Sequence, residues 1–559
     1  RVGLQKALEM MTTGKNIYAH QAKKMGLVDV LTDRHKLHSA AVQLCQRMVK
    51  GEWSHTPKKK SLQDKILEDT GFGRSIVFKQ ARKMAAKATQ GNYPAVPAII
   101  DCVQTGYEKG IAAGYEKELE LFEKLMLTPE SESLRWLFFA MTDNKKNPWA
   151  ERVDSYPTLD TLGMLGAGFM GAGITEVSVN KGIDVLLKDL NAETIQEARQ
   201  GIWKGLKKKI RYKSIRPTEA EEVIGRVRPR LSYDDFDQAD IVIEAVVEKM
   251  EVKKIVIDEI QENCREDVVI ASNTSSLSLT EMANHAKRPE QVIGMHYFSP
   301  VPKMPLLEIV RTEKTAPEVV AACYDFGVRQ GKTVIVVKDG PGFYVNRILA
   351  PYLNECLLMA DEGVALDDID KAMKRLGFPV GPISLLDEVG LDIAAHVAST
   401  AEEAMLDGRE GFEASDATVR MFNDGRLGKK NKKGFYRYED KKGRVKKAGI
   451  DADAYKYFNG NGDKTLDEAT IQDRGLLLMI NEAVMCLEEG IIENTADGNL
   501  GAVFGIGFLP FTGGPFRCID QRGAANIVAR MDELAATYGP KFTPRPLLRQ
   551  KAEAGERFD

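Results

Sequence analysis

The sequence predicts an α/β domain with a mostly parallel sheet, preceded by a helical region and followed by a duplicated all-α region. Three observations support this prediction. Short apolar segments alternate with helical ones in the middle of the chain, the strand pattern fades after residue 343, and five features of the following region recur in order. Alternating strands and helices are typical of a parallel sheet covered on both faces.

Composition and charge exclude several classes of protein. The 559 residues are 43% hydrophobic and 28% charged, which predicts roughly three to five domains. The formal net charge of -3 does not favour a nucleic-acid partner. No run approaches the roughly 20 apolar residues of a membrane span, so we expect no integral membrane segment. The seven cysteines stand singly, which predicts free thiols, no metal site and a reducing compartment such as the cytoplasm.

The front of the chain is predicted to be helical. Residues 1–55 read as helices joined by short turns and are too few to fold alone. The chain begins with Arg1 inside an amphipathic pattern, so we expect the native N-terminus to lie upstream. Residues 56–157 contain a long helical stretch interrupted by prolines. We interpret this second segment as a helical linker between domains.

Seven apolar segments between residues 158 and 340 are predicted to be strands. They are Leu162–Leu165, Asp184–Lys188, Ile241–Ala245, Val268–Ala271, Val292–Met295, Leu306–Val310 and Val334–Val337. Each is short and apolar, and most are separated by segments long enough for a helix. Residues 158–340 are therefore predicted to form one α/β domain.

An internal repeat follows residue 340. Asn354-Glu355, Glu362-Gly363, Gly377-Phe378, Gly381-Pro382 and Asp387 recur in order as Asn481-Glu482, Glu489-Gly490, Gly507-Phe508, Gly514-Pro515 and Asp520. Two copies of one helical module, residues 341–437 and 438–559, are therefore predicted to pack together, each burying a face that the other exposes. The segment Gly428–Asp463 is rich in Lys, Asp and Gly and is predicted to be a surface loop.

A glycine-rich turn follows the first predicted strand. Gly166, Gly168 and Gly171 form a G-x-G-x-x-G pattern that opens a helix, and Asp189 stands 23 residues after the first glycine, at the end of the second strand. This context is the dinucleotide-binding fingerprint of a Rossmann-like domain. Asp189 would bind the adenosine ribose and repel a 2′-phosphate, which favours NAD over NADP. An FAD site shares the fingerprint, but the chemistry further along the chain disfavours it.

His296 and Glu308 are candidates for acid–base chemistry on a substrate hydroxyl. His296 ends a predicted strand, a proline-rich turn follows, and the next strand carries Glu308. Two strands joined by such a turn can bring the imidazole and the carboxylate together, and the carboxylate then orients a general base. Ser275 also follows a strand, where ligands of open α/β sheets collect. Asn346 could reach the same cleft from the helical region.

Five ordered motifs between about residues 160 and 437 resemble the 3-hydroxyacyl-CoA dehydrogenase family. They are Gly166–Gly171, Glu244–Glu248, Ser272–Ser276, His296–Pro300 and Pro341–Arg347. The resemblance implies a Rossmann-like NAD-binding domain at 158–340 and duplicated all-α dehydrogenase C-terminal domains at 341–437 and 438–559. Residues 1–55 resemble the C-terminal end of an enoyl-CoA hydratase/isomerase (crotonase) domain, and so are predicted to be a remnant of that fold.

The resemblance also implies roles for single residues. His296 matches the family's catalytic base and Glu308 its partner, while Ser275 and Asn346 match residues that position the substrate's hydroxyl and thioester carbonyl. The residues that match the NAD contacts are Gly166, Gly168, Met170, Gly171, Asp189, Val246, Val247, Glu248, Lys253, Ser275 and Ser299. Many relatives have asparagine in place of Ser299. Some relatives have a substrate-contacting tyrosine in place of Phe504, so we assign Phe504 no polar role.

The resemblance implies fatty acid β-oxidation, in which L-3-hydroxyacyl-CoA is oxidised to 3-ketoacyl-CoA with NAD, and a thiolase β subunit as partner. In the family the hydratase carboxylates lie upstream of the part that residues 1–55 match. This chain is therefore not expected to hydrate enoyl-CoA, whereas the full-length protein is expected to act also as a hydratase and isomerase or epimerase. Two alternatives stay open: a 2-hydroxyacid or nucleotide-sugar dehydrogenase, and a catalytically incomplete CoA-binding scaffold for a thiolase.

Overall fold

The computed structural model describes residues 1–56, 60–396, 409–441 and 443–558. Residues 57–59 of the predicted linker, 397–408 of the first helical copy, and 442 and 559 of the second copy lie outside this description. The chain divides into two units, Arg1–Thr128 with Ile202–Glu222, and Pro129–Gly201 with Val223–Asp559. Within the described ranges no helix has the length and apolar character of a membrane span.

The first unit is helical, as predicted. Its helices before residue 129 are α1 Leu4–Thr13, α2 Ala19–Met25, α3 Leu37–Val49, α4 Leu62–Asp69, α5 Gly71–Thr89, α6 Ala95–Lys109 and α7 Ile111–Met126. Leu4 and Leu8 of α1 share a small core with Val77 and Phe78 of α5 and Ile100 of α6. The start of the chain therefore packs against helices that begin after residue 70.

The second unit contains an eight-stranded sheet in the order β3-β2-β1-β4-β5-β6-β7-β8. The strands are β1 Thr161–Leu165, β2 Asp184–Lys188, β3 Val227–Arg230, β4 Ile241–Glu244, β5 Val269–Ser272, β6 Val292–Tyr297, β7 Leu306–Arg311 and β8 Thr333–Lys338. All neighbours pair in parallel except β6 and β7, which are antiparallel. The seven predicted strands are present, and β3 was missed because its sequence, Val-Arg-Pro-Arg, is that of an edge strand.

Helices precede, separate and follow these strands along the chain. Before residue 340 they are α8 Pro129–Asp143, α9 Phe169–Val179, α10 Ala192–Arg211, α11 Pro217–Gly225, α12 Met250–Asn263, α13 Leu279–His285 and α14 Pro317–Arg329. After it they are α15 Val345–Asp361, α16 Leu366–Leu376, α17 Pro382–Val389, α18 Ala417–Asn423, α19 Glu468–Glu488, α20 Thr495–Ile506, α21 Pro515–Arg522, α22 Ala524–Tyr538 and α23 Pro546–Ala554.

One prediction for the all-α region is wrong. The segment Gly428–Asp463 is not only surface loop, since β9 Tyr436–Lys441 and β10 Arg444–Ile450 form an antiparallel hairpin in it. Buried Tyr436 and Tyr438 alternate with exposed charged residues, the period of a half-buried strand. The high charge of the segment masked this alternation. The hairpin is anchored by the Asp387 carboxylate, which accepts the Tyr436 N–H at 2.9 Å and the Tyr438 hydroxyl at 3.1 Å.

The two helical copies bind each other through exchanged ion pairs. Arg347 on α15 and Arg474 on α19 occupy the same position of the repeat, eight residues before its first glutamate. Arg347 binds Glu482 of the second copy at 2.7 Å, and Arg474 binds Glu355 of the first copy at 2.7 Å. Both arginines and both glutamates are buried. Each copy therefore supplies the cation for the other copy's carboxylate, which confirms that the two modules pack together.

We expect Arg474→Met to destabilise the all-α region by about 3 kcal/mol, the lower end of the cost of breaking a buried pair, because Glu355 then keeps only the Lys541 ammonium, 2.6 Å from its Oε2. Arg530→Met is the matched control, since Arg530 and its partner Asp473 are partly exposed and such a pair contributes about 1 kcal/mol or less. Thermal unfolding followed by circular dichroism measures both variants. Equal losses in the two variants would contradict the importance of the exchanged pairs.

Candidate active site

The glycine-rich turn between β1 and α9 leaves no room for side chains at two positions. Gly166 has φ +92°, and a Cβ there would lie 2.7 Å from the carbonyl oxygen of Ala245. A Cβ at Gly171 would lie 1.8 Å from the carbonyl oxygen of Gly166. Gly168 is the N-cap of α9 and faces open space, with no side chain capping the helix. An uncapped helix N-terminus beside such a turn fits a pyrophosphate.

Asp189 lies beside this turn at the end of β2, where it is partly buried. Its Oδ2 accepts the backbone N–H of Ala167 at 2.8 Å, and its Oδ1 accepts that of Asn191 at 3.1 Å. The structure therefore brings Asp189 to the glycines, as the fingerprint requires. Met170 is in the first turn of α9, next to the same glycines.

The predicted residues after β4 and β5 lie together. Val247 is largely exposed, whereas Glu248 reaches the neighbouring loop, where its Oε1 accepts the Ser275 N–H at 3.0 Å and the Thr274 hydroxyl at 2.6 Å. Val246 donates its N–H to Glu244 at 3.2 Å. Lys253 is almost wholly buried below Glu248, with its ammonium 3.2 Å from Glu248 Oε2. Lys253 therefore lies behind the loops that follow β4 and β5.

His296 and Glu308 are directly opposite each other in the antiparallel pair of β6 and β7. The distance from His296 Nδ1 to Glu308 Oε2 is 2.6 Å, and both side chains are buried. An ionised carboxylate only accepts hydrogen bonds, so this contact selects the tautomer with the proton on Nδ1 and leaves Nε2 as an acceptor. The imidazole packs against Phe298 and Phe343, with ring centroids 4.5 and 5.6 Å away.

Glu308 also binds the helical region. Its Oε1 accepts the backbone N–H of Val345, the first residue of α15, at 2.9 Å, and Asn346 follows directly. A helix N-terminus favours a negative charge. The carboxylate that holds His296 therefore also holds the helix that carries Asn346. Helix α20 of the second copy packs at this point too, since a Cβ at Gly505 would lie 2.7 Å from Val345 Cγ1.

Two contacts hold the turn that carries Ser299. The Lys332 ammonium donates to the carbonyl oxygens of Val301 at 2.6 Å and Met304 at 2.7 Å, and burial lowers the pKa of Lys332 to about 8. On the other side a Cβ at Gly173 of α9 would lie 2.9 Å from Val301 Cβ. Ser299 itself is exposed. The turn is thus fixed between β8 and the helix that starts at the glycine turn.

Sequence reasoning missed three residues that organise this edge of the sheet. Asn273 accepts the Tyr297 N–H at 3.0 Å and so ties the Ser275 loop to the end of the His296 strand. Glu244 and Lys332 are buried charged residues in or beside apolar strands. A charged residue in or next to an apolar strand segment is rarely buried without a partner. Its position in the sequence is therefore a signal that could have identified both residues.

Family models match most of the chain. The 3-hydroxyacyl-CoA dehydrogenase NAD-binding domain matches residues 161–340, its C-terminal domain 342–438, and enoyl-CoA hydratase/isomerase 1–90. The fatty acid oxidation complex subunit alpha of Shewanella sp. (strain MR-4) is 43% identical over all 559 residues, which cover 78% of that protein. The chain belongs to this family of alpha subunits. The corresponding subunit of Idiomarina loihiensis is 44% identical, with 77% of its length covered.

Two solved structures are similar to the dehydrogenase part of this chain. The 3-hydroxybutyryl-CoA dehydrogenase of Escherichia coli K12 has a TM-score of 0.62 and 28% identity, and the match covers 71% of this chain and 99% of that one. The dehydrogenase part of multifunctional enzyme 1 from C. elegans, at 21% identity and a TM-score of 0.52, shares the fold over 74% of this chain and 96% of that one.

These matches decide the class of enzyme and the cofactor. The chain is an NAD-dependent 3-hydroxyacyl-CoA dehydrogenase of fatty acid β-oxidation, in a family whose members are multifunctional. The matched model of the sheet domain is that of an NAD-binding domain, which rules out the FAD alternative.

We expect Gly171→Ala to lower NAD affinity by at least about tenfold, because the new Cβ would lie 1.8 Å from the Gly166 carbonyl oxygen and must deform the turn. Gly201→Ala on α10 is the control, since that position is open. Isothermal titration with NAD measures both variants. Unchanged affinity in a folded Gly171→Ala protein would show that the turn does not form the cofactor site.

Proposed function

We propose that His296 is the general base that removes the hydroxyl proton of L-3-hydroxyacyl-CoA. The observation that carries this proposal is the buried contact of 2.6 Å between His296 Nδ1 and Glu308 Oε2. It leaves Nε2 unprotonated and supports the imidazolium that forms when the proton is taken. His296 is at the carboxyl end of β6, the edge of an open α/β sheet where ligands bind.

The turn of Gly166, Gly168 and Gly171 would hold NAD, with Met170 in the first turn of the following helix and Asp189 as the group that would bind the adenosine ribose. Support comes from the glycine cradle, which a side chain would fill, and from the uncapped start of α9. Val246, Val247 and Glu248 form the next wall, Lys253 supports it from below, and Ser275 and Ser299 complete the cofactor surface. The bound dinucleotide supplies the hydride acceptor for C3 of the substrate.

Ser275 and Asn346 hold the substrate on opposite sides of the base. Ser275 is fixed through its N–H to Glu248, and Asn346 through the neighbouring Val345 N–H to Glu308. As His296 takes the hydroxyl proton, the C3–H bond breaks with its electron pair and the C3 carbonyl forms. The products are 3-ketoacyl-CoA, NADH and the proton on His296. Fixed positions of these side chains supply orientation at little entropic cost.

We further propose that the chain acts in a bacterial cytoplasmic complex with a thiolase β subunit. The relatives are bacterial and are named as subunits of a fatty acid oxidation complex. A 3-ketoacyl-CoA is the substrate class that a thiolase cleaves, so the product of this chain is the substrate of the proposed partner. The cysteines of the described chain are free thiols, in keeping with a reducing compartment. Co-elution with a separately purified thiolase subunit in size-exclusion chromatography tests this partnership.

We expect His296→Ala to lower kcat for NADH formation by about 10²–10⁴-fold without changing NAD affinity. His285→Ala is the matched control, because this second histidine of the sheet domain pairs with Asp258 on the surface at 3.0 Å. Absorbance of NADH is followed with L-3-hydroxyacyl-CoA of several chain lengths, and with NADP in place of NAD.

Full activity in His296→Ala would contradict the proposed base. If the folded wild-type chain binds NAD but oxidises no acyl-CoA, the scaffold alternative becomes the better account. A 2-enoyl-CoA of the same chain length, added with NAD, reports hydratase activity separately, since NADH then forms only after hydration.

A further inference from the structure

A buried charge cluster lies beneath the loops that follow β4 and β5. Glu244, the last residue of β4, and Lys253 on α12 are each 1% exposed. The Lys253 ammonium is 2.7 and 2.9 Å from the two carboxylate oxygens of Glu244. Taking two charges out of water carries a large desolvation cost, so such a pair is a poor source of stability.

The Glu244 carboxylate binds three separate segments of the chain. Besides Lys253, it accepts the Val246 N–H at 3.2 Å and the hydroxyl of Ser272 at the end of β5. Ser272 Oγ in turn accepts the Thr274 N–H at 3.2 Å. One buried carboxylate therefore fixes the start of the loop that carries Glu248 and the start of the loop that carries Ser275.

Lys253 extends this network to Glu248. Its ammonium is 3.2 Å from Glu248 Oε2, while Glu248 Oε1 accepts the Ser275 N–H at 3.0 Å. Burial opposes the charge on Glu248, but the Lys253 ammonium and the hydrogen bonds outweigh it and lower the pKa of Glu248. The Glu248 side chain is 29% exposed, so one side of it still faces the surface of the site. Glu248 is held from below by Lys253 and from the side by Ser275.

We propose that Glu244 is a positioning residue of the dehydrogenase, which acts through Lys253 to hold Glu248 and Ser275 in place for cofactor and substrate. It touches neither ligand itself. This inference rests on the proposed function, in which Glu248 faces NAD and Ser275 the substrate hydroxyl. It assigns to Glu244 a role distinct from that of Glu308, which holds His296 from the other side of the site.

Glu244→Gln keeps the shape of the side chain and removes its charge, so the Lys253 ammonium is no longer held between two carboxylates. We expect the dissociation constant and the KM for NAD to rise about tenfold, while kcat falls by a smaller factor because His296 and Glu308 are untouched. Glu251→Gln, an exposed residue on α12, is the control and should leave NAD binding unchanged.

A double variant separates positioning from stability. Glu244→Leu with Lys253→Met replaces the pair by apolar side chains, an exchange that is often neutral or stabilising in buried pairs. We expect the melting temperature of the double variant to lie closer to that of the wild type than that of Glu244→Gln does. NAD affinity should stay low, because Glu248 has lost its contact with the Lys253 ammonium.

Two results would overturn the inference: wild-type NAD affinity in folded Glu244→Gln, or NAD affinity that recovers together with stability in the double variant. NAD binding is measured without acyl-CoA, so both results are independent of turnover. Failure of the proposed function would appear instead as a wild-type chain that forms no NADH.

Discussion

The antiparallel pairing of β6 and β7 is the constraint on which the site depends. Every other pair in the sheet is parallel, and only this reversal places His296 directly opposite Glu308. A register shift of one residue would turn one side chain to the other face. Because β7 runs back from the turn, the second oxygen of Glu308 reaches the Val345 N–H. One carboxylate thereby joins the His296 imidazole to the helical region.

Two buried carboxylates at the carboxyl-terminal edge of the sheet hold different parts of the site. Glu308 holds the imidazole and the start of α15, while Glu244 holds the loops that follow β4 and β5. Strands β4, β5 and β6 are neighbours, so their carboxyl ends lie side by side. Asn273 links the two halves through the Tyr297 N–H. Hydrogen bonds thus hold the side chains that we propose for cofactor and substrate, and such fixed positions reduce the reorganisation that catalysis requires.

The sequence was informative where the signal was local. The glycine turn and the His296–Glu308 turn could be read directly, because each depends on residues close together in the chain. Strand β3 escaped detection because its four residues, Val-Arg-Pro-Arg, have the sequence of an edge strand, and the β9–β10 hairpin because its many charged residues masked the alternation of β9. The contacts of Glu244, and of Glu308 with Val345, join segments that only the tertiary fold brings together. The repeat predicted that two modules pack, but not that Arg347 and Arg474 would exchange partners.

The tautomer of His296 tests the central claim most directly. With 15N-labelled histidine, NMR of the neutral imidazole distinguishes a proton on Nδ1 from one on Nε2. The account predicts that His296 carries its proton on Nδ1 in the wild type, since Glu308 accepts it at 2.6 Å, and that Glu308→Gln weakens this preference. A wild-type His296 protonated on Nε2, or a tautomer indifferent to Glu308→Gln, would contradict the proposal that this pair prepares the base.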